Sequence, residues 1–354
     1  MKTVAFYGFL DGPANYTLNI LCEKEQIERI DDFGKADFLF VGPYHNYMDY
    51  YEFPLVKDQV RIFITDEPKT ADFTIFDYAV GFDFMEMLGK DGKQRYLRYP
   101  YSLKRMYKYK DEACWKGYSK DEAQKILKDK KNFCNFMYSH PSPSGHREAV
   151  FEALNKYKKV DSSGTFLNNM EGGFTIPRMD PRKKDFIRSY KFTIACDSIR
   201  HPGFCTEKIT DAFLSDTIPI YFGDPFVTWD INPKAFINCD DFSSLEEMVK
   251  KVKYLDENDN AYIEMLSQPK FNNPNAIEDG YNAYKDFLWY IISQDKSAAL
   301  RREMYYYDSY AEEKLRFYKC IHYNYERLLN NKGVKLMFKF KNMFKRKNGL
   351  GKKD

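Results

Sequence analysis

No run of eighteen or more apolar residues occurs in this 354-residue chain, so a membrane-spanning helix is not expected. The opening MKTVAFYGF is interrupted at once by Asp11 and Gly12, and it lacks a secretory signal's long apolar core and small-residue cleavage site. A cytoplasmic site of action is the expectation. The seven cysteines are odd in number and scattered, with no C-x-x-C pair, and no histidine stands at metal-ligand spacing. Disulfides and structural zinc are therefore not expected. Cys205 falls in the most informative segment of the chain, where the burial habit of free cysteine favours a small buried side chain over a reactive thiol. Internal repeats at a period of about 20 to 50 residues are also lacking, which argues against a solenoid or propeller.

What is present is ample material for burial: 44% of residues are hydrophobic and 18% aromatic, and the length exceeds what one core usually serves. Two domains are the default. The net charge of +3 conceals an asymmetry, because residues 332–354 hold nine Lys or Arg against Asp354 alone and leave the body at about −5. On a helical projection Leu336, Met337, Phe340, Met343 and Phe344 share an arc of about 120°, while Lys335, Lys339, Lys345 and Arg346 gather opposite. Phe338 and Lys347 break the pattern. Such a helix suits an anionic membrane interface, so peripheral attachment on the inner face of the membrane through residues 332–354 is expected. The acidic body and the absence of a nucleic-acid-binding motif argue against nucleic acid as the partner.

Along the chain, short apolar runs at 3–7, 36–42, 59–65 and 73–82 read as buried strands, with a helical stretch at 18–30 between the first two. The charged helical segment 119–131 marks a boundary, placed at 125/126. A second alternation follows: strand 132–138, helix 146–159, strand 190–197, helix 206–214, strands 218–222 and 235–238, helix 244–254. Alternating strands and helices predict two open α/β, Rossmann-like units, residues 1–125 and 126–300, with a helical C-terminal segment 301–354. Such units facing one another create a cleft at the carboxyl ends of their strands, where phosphate-bearing ligands bind.

The segment 190–224, YKFTIACDSIRHPGFCTEKITDAFLSDTIPIYFGD, reads as strand, polar loop, helix, strand. Thr206 is a good N-cap, and the free N–H groups of a helix start attract phosphate. Lys208 is the odd residue there, since a cation at a helix N-terminus costs up to about 1 kcal/mol unless an anion offsets it. On composition alone, Glu207 and Lys208 are also compatible with an ordinary exposed helix start.

The same segment resembles the donor-binding signature of the alpha-1,3/4-fucosyltransferases. Tyr190, Lys191, Phe192, His201, Pro202, Thr206, Glu207, Lys208, Pro219 and Gly223 all match it. FDYAVGFD at 76–83, RYLRYP at 95–100, and the stretch 132–164 ending in KKVDSSG resemble further patterns of bacterial members. The resemblance implies a GT-B-like arrangement of two Rossmann-like domains and inverting transfer of L-fucose from GDP-fucose to an acceptor glycan. An alpha-1,3 linkage to the GlcNAc or Glc of a lactosamine- or lactose-type acceptor is the usual outcome, and a lipid-linked glycan would suit the basic tail.

Carried over by position, Glu67 in IFITDEP takes the place of the catalytic base, with Asp66 as its rival. Arg147 takes that of an arginine gripping the donor phosphates, Glu207 that of a ribose ligand, and Lys208 that of a diphosphate ligand. Two departures touch the donor loop. Cys196, Asp197 and Ser198 replace the common F-E-N, and Phe204 replaces a frequent Tyr. Asp197 keeps a carboxylate on a shorter arm, Ser198 offers a hydroxyl for an amide, and Phe204 lacks the phenol. Asp240 and Asp241 read as a polar strand exit, so no obligatory metal is expected and a divalent cation would at most stimulate. The competing readings are a transferase using another nucleotide sugar, and a non-catalytic glycan- or membrane-binding protein with a degenerate donor site.

Overall fold

The computed structural model describes residues 1–43, 56, 58–88, 94–109, 111–177, 180, 182–302 and 317. The basic tail 332–354 lies outside the described residues. By internal contacts the chain divides into two compact units, one of Met1–Ile64, Ala71–Ala79 and Ile291–Asp354, the other of Thr65–Thr70 and Val80–Tyr290. Residues 125/126, where composition suggests a boundary, lie within the second unit.

The N-terminal part runs β1 (Lys2–Tyr7), α1 (Asp11–Cys22), β2 (Ile27–Arg29), β3 (Phe38–Val41), β4 (Val60–Ile64), β5 (Tyr78–Gly81) and β6 (Tyr96–Arg98). The sheet order is β2-β1-β3-β4-β5-β6, and β2–β1, β1–β3 and β3–β4 pair in parallel. FLFV of β3 is buried at every position, as a strand covered on both faces must be. The helix expected at 18–30 is instead α1, shifted toward the N-terminus. Asp11 in the first turn and Pro13 close behind suit a helix start, and residues 27–29 are drawn into the sheet by the register Lys2 to Ile27. The strand expected over 73–82 begins only at Tyr78. Before it Asp72 accepts hydrogen bonds from the Thr74 amide and hydroxyl, which holds a turn.

In the second unit follow α2 (Tyr101–Tyr109), α3 (Glu112–Lys116), α4 (Lys120–Lys128), β7 (Asn132–Phe136), α5 (His146–Tyr157), β8 (Val160–Ser162), α6 (Lys183–Arg188), β9 (Tyr190–Cys196), α7 (Glu207–Leu214), β10 (Ile218–Phe222), β11 (Ile237–Asn238), α8 (Leu245–Glu257), α9 (Asp259–Leu266) and all but the last three residues of α10 (Ala276–Ser293). A short α11 (Lys296–Ala299) belongs to the first unit. The strand expected at 235–238 shortens to β11 because Pro233 opens a turn whose end is Ala235. The sheet order β11-β10-β9-β7-β8 is parallel throughout. Phe136, Phe192, Ile194, Ile218 and Ile220 of its strands meet Leu154, Met248 and Val252 of its helices in one core. Each such side chain contributes roughly 1.5 to 3 kcal/mol when fully buried, so the sheet is a stiff base for the loops at its edge.

Candidate active site

The second sheet reverses direction of growth between β7 and β9. From β7 the chain moves outward to β8, returns to place β9 on the other side of β7, and then continues outward through β10 to β11. In doubly wound sheets ligands bind at this switch point, beyond the carboxyl ends of the strands. The loops leaving those two strands lead into α5 and α7, so two helix N-termini start there.

At the start of α7 the Thr206 hydroxyl accepts from the Lys208 amide at 3.5 Å and donates to Asp197 Oδ1. Lys208 Nζ lies 3.0 Å from Thr206 Oγ1 and 3.5 Å from both Asp197 Oδ1 and Glu207 Oε1. The anion that a cation at this position needs is therefore supplied first by the protein itself. Burial works against the Lys208 charge, but the Asp197 and Glu207 carboxylates outweigh it and hold the ammonium above its ordinary range. Asp197 is fully buried, and its other oxygen accepts from Tyr221 Oη at 2.9 Å. Burial raises its pKa against the pull of Lys208, Thr206 and Tyr221. Expected among the donor-contacting residues, Asp197 has no exposed surface, so in this structure it anchors the first turn of α7. Gly223 makes that possible, because a Cβ there would come within 2.6 Å of Tyr221 Oη and 2.8 Å of Asp197 Oδ2.

Arg147, in the first turn of α5, is only 3% exposed, which excludes the surface arginine of an amphipathic helix. Its guanidinium stacks 3.9 Å over the Tyr138 ring. Nη1 donates to His140 O at 2.8 Å, and Nη2 to Cys196 O and Ser198 Oγ at 3.3 Å each, while Nε has no hydrogen-bond partner. Its positive charge thus sits beneath the loop that follows β9 and ties that loop to α5. Ser198 itself is exposed.

The loop's far end is fixed by packing. Phe204 is buried edge-on against Phe82, with ring centroids 5.1 Å apart, and His201 meets the same ring at 5.2 Å. A phenol at 204 would need a buried partner for its hydroxyl, so Phe suits this pocket. Gly203 has φ +78°, and any side chain there would meet Phe82 O, so only glycine fits. Its amide donates to Asp224 Oδ1 at 2.9 Å. Cys205 is buried and its thiol is pushed well up by burial, which makes it an inert packing residue.

Glu67 and Asp66 leave β4 in the segment 65–70, which belongs to the same compact unit as α7. Thr65 Oγ1 braces the turn, accepting from the Glu67 amide at 3.0 Å and donating to its carbonyl at 2.9 Å. Asp66 is engaged in a 2.5 Å ion pair with Lys104 of α2. That helix is clamped to α7 in turn, since Arg105 places two nitrogens on Asp211 at 2.8 and 3.0 Å. Of the acidic pair near β11, Asp240 takes Arg200 at 2.8 Å and Asp241 accepts from Asn238. Among the described residues no cluster of three or more His, Cys, Asp or Glu is arranged to hold a metal ion.

This switch-point site coincides with the segment that one family model matches: glycosyltransferase family 10 (fucosyltransferase) C-term, over residues 127–283. A second, the alpha-(1,3)-fucosyltransferase FucT N-terminal domain, matches residues 1–105. The chain belongs to glycosyltransferase family 10. Similar to this family 10 chain are the alpha-(1,3)-fucosyltransferase FucT of Helicobacter pylori, 31% identical over 70% of the chain, and the putative fucosyltransferase R654 of Acanthamoeba polyphaga mimivirus, 27% identical over 69%. The chain spans 54% and 40% of the lengths of these two relatives. A crystal structure of an alpha1,3-fucosyltransferase with GDP-fucose superposes with a TM-score of 0.61 at 26% identity, covering 81% of this chain and 90% of that one.

Within the family 10 site the sequence pointed to the residues that surround the start of α7 and missed those that support it. Tyr221, Tyr138 and Asp224 carry no polar signal, because two read as strand aromatics and the third as a turn residue. Tyr138 Oη donates to the carbonyls of the β9 end and accepts from the Cys196 amide at 2.7 Å, which closes the end of the strand. A buried Tyr next to a loop of polar residues is the one sequence cue that could have suggested it.

Proposed function

We propose that this chain transfers L-fucose from GDP-fucose to a hydroxyl of an acceptor glycan, with inversion at the anomeric carbon. The observation that carries the reading is the start of α7 at the switch point, where a capped helix N-terminus and the Lys208 ammonium converge on one spot. The resemblance of a solved alpha1,3-fucosyltransferase with GDP-fucose supports the donor. As the glycosidic bond breaks, charge grows on the departing diphosphate; free N–H groups and Lys208 stabilise it. Both carboxylate contacts of Lys208 are long, at 3.5 Å, so a diphosphate oxygen competes for the ammonium on favourable terms. Arg147 adds positive charge beneath the loop, and Glu207 accepts from the ribose hydroxyls.

Glu67 takes the proton of the attacking hydroxyl. What supports it is its place in the turn that leaves β4, where Thr65 Oγ1 braces its amide and carbonyl, while the neighbouring Asp66 is engaged by Lys104 of α2. The acceptor class is a lactosamine- or lactose-type glycan receiving an alpha-1,3-linked fucose, or the same unit on a lipid carrier. With two cations serving the diphosphate, a divalent metal is not required. The basic tail 332–354 brings the enzyme to the cytoplasmic face of an anionic membrane. Thermal shift with GDP and none with UDP, together with turnover of GDP-fucose on lactose or N-acetyllactosamine that survives EDTA, is the expected outcome. Preferential turnover of a UDP-sugar would overturn the donor assignment.

A further inference from the structure

Trp229 is 55% exposed although its ring packs on two aromatic neighbours. It closes a single 3₁₀ turn, Val227–Trp229, that follows β10. Its ring lies 4.7 Å from both Phe84 and Phe226, centroid to centroid. The backbone beneath is pinned on two sides. Asn272 Nδ2 donates to the carbonyls of Thr228 and Trp229 at 2.8 and 3.1 Å, and the amides of Asn232 and Asn272 bond Lys270 O and Asp230 O. Beside the indole, Arg98 and Asp230 form a two-pronged ion pair at 3.0 and 2.6 Å, and the Arg98 guanidinium covers the Phe84 ring at 4.1 Å. Both partners of that pair remain partly exposed.

A rigid, exposed indole flanked by fixed polar groups is a surface prepared for a ligand, because little side-chain freedom is left to lose on binding. Its chemistry selects the ligand class. The apolar C–H face of a pyranose ring stacks on an aromatic plane, while its edge hydroxyls need donors and acceptors, and Arg98 and Asp230 offer both. The platform is also continuous with the donor loop. One carboxylate oxygen, Asp224 Oδ1, accepts from Gly203 N in that loop at 2.9 Å and from Phe226 N at the base of the aromatic turn at 2.8 Å.

Resting on the fucosyl-transfer reading above, we infer that Trp229, with Arg98 and Asp230 beside it, is a subsite that stacks a pyranose ring of the acceptor glycan. The subsite sets acceptor affinity without touching the donor. The full chain is used throughout, and urea unfolding of each variant checks that the fold is kept. Wild type, Trp229→Phe and Trp229→Ala are titrated with lactose and N-acetyllactosamine while tryptophan fluorescence is followed, and GDP affinity is measured separately. The saccharide should change wild-type emission, and that change should vanish in both variants. Trp229→Ala should raise the acceptor KM about tenfold or more, on the scale of a stacked aromatic anchor, with Trp229→Phe between it and wild type and GDP affinity equal in all three. Unchanged acceptor KM in Trp229→Ala, an emission change that persists in the variants, or no saccharide response in wild type overturns the subsite. A Trp229-dependent saccharide response in a chain that turns over no GDP-fucose would instead sink the transfer reading and leave the subsite standing.

Discussion

Two carboxylates stand in neighbouring positions, Asp66 in an ion pair with Lys104 and Glu67 at the proposed place of the base, and the role of Glu67 is testable by a single substitution. Glu67→Gln should lower transfer by about 10²- to 10⁴-fold, the usual contribution of a general base, with GDP affinity retained in a calorimetric titration. Transfer at the wild-type rate would remove Glu67 from the mechanism. Lys208→Ala deletes a charge-assisted contact to the diphosphate and should weaken GDP binding by about 10- to 100-fold. Asp240→Ala, which breaks only the exposed pair with Arg200, should leave GDP affinity where it was. Equal GDP affinity in wild type and Lys208→Ala would displace the donor from α7. Asp224 gives a pH signature. Burial pushes its pKa up to about 6, against two backbone donors and Arg98, with Asp230 adding to the rise. The folded state therefore holds this proton more tightly than the unfolded chain, and the stability it contributes at low pH is lost as pH rises from about 4 to about 6, on the order of 3 kcal/mol in all. Asp224→Asn keeps the Oδ1 acceptor and cannot ionise. In urea unfolding the stability of the variant relative to wild type should rise by that order between pH 4 and pH 7, and a constant difference would show that Asp224 does not titrate there.

At the scale of elements, the start of α7 depends on one hydroxyl that both caps the helix and meets Asp197. Thr206→Ala should cost about 1 to 2 kcal/mol of stability and weaken GDP binding as well, whereas Thr206→Ser should restore most of both; a stable Ala variant with full GDP affinity would show that the cap is not needed. That Thr206 caps this helix was legible in the sequence, because a Thr before an apolar-periodic run after a polar loop has few other uses. Strands β3, β4, β9 and β10 were legible for a similar reason, since parallel strands buried on both faces leave mostly apolar runs, broken here only by Arg61 in β4 and by Lys191 and Thr193 in β9. What escaped was decided by tertiary pairing. Ile27–Arg29 has one apolar residue in three and is a strand only because β1 lies beside it. The three residues of β8 are too few to show a period, and α2, YSLKRMYKY, hides its buried Ser102, Leu103 and Met106 among tyrosines and lysines. In the site, sequence resemblance selected Arg147 and Asp197 as donor ligands. It could not reveal that both side chains lie beneath the loop, because burial depends on Tyr138, just beyond β7, and Tyr221 of β10.

At the scale of the whole molecule, charge is divided along the chain: residues 332–354 carry nine basic residues and one acidic residue, against an acidic remainder. No described helix is long and apolar enough to cross a membrane. An amphipathic basic segment offers a different attachment, in which apolar side chains enter the interface and lysines meet lipid phosphates. Each basic residue close to an anionic surface contributes about 1 kcal/mol, so a cluster of this size gives reversible binding that salt weakens within a Debye length. On a helical projection of the sequence Lys332 and Lys341 would border the apolar arc, from which long stems reach lipid phosphates. The full chain should therefore cosediment with vesicles containing phosphatidylserine, less so as salt rises, and not with vesicles of phosphatidylcholine alone. A chain ending at Asn331 should stay in the supernatant while keeping its GDP affinity, which separates attachment from donor binding. Equal sedimentation of the two chains would place any membrane contact on the folded body and leave the tail without this role.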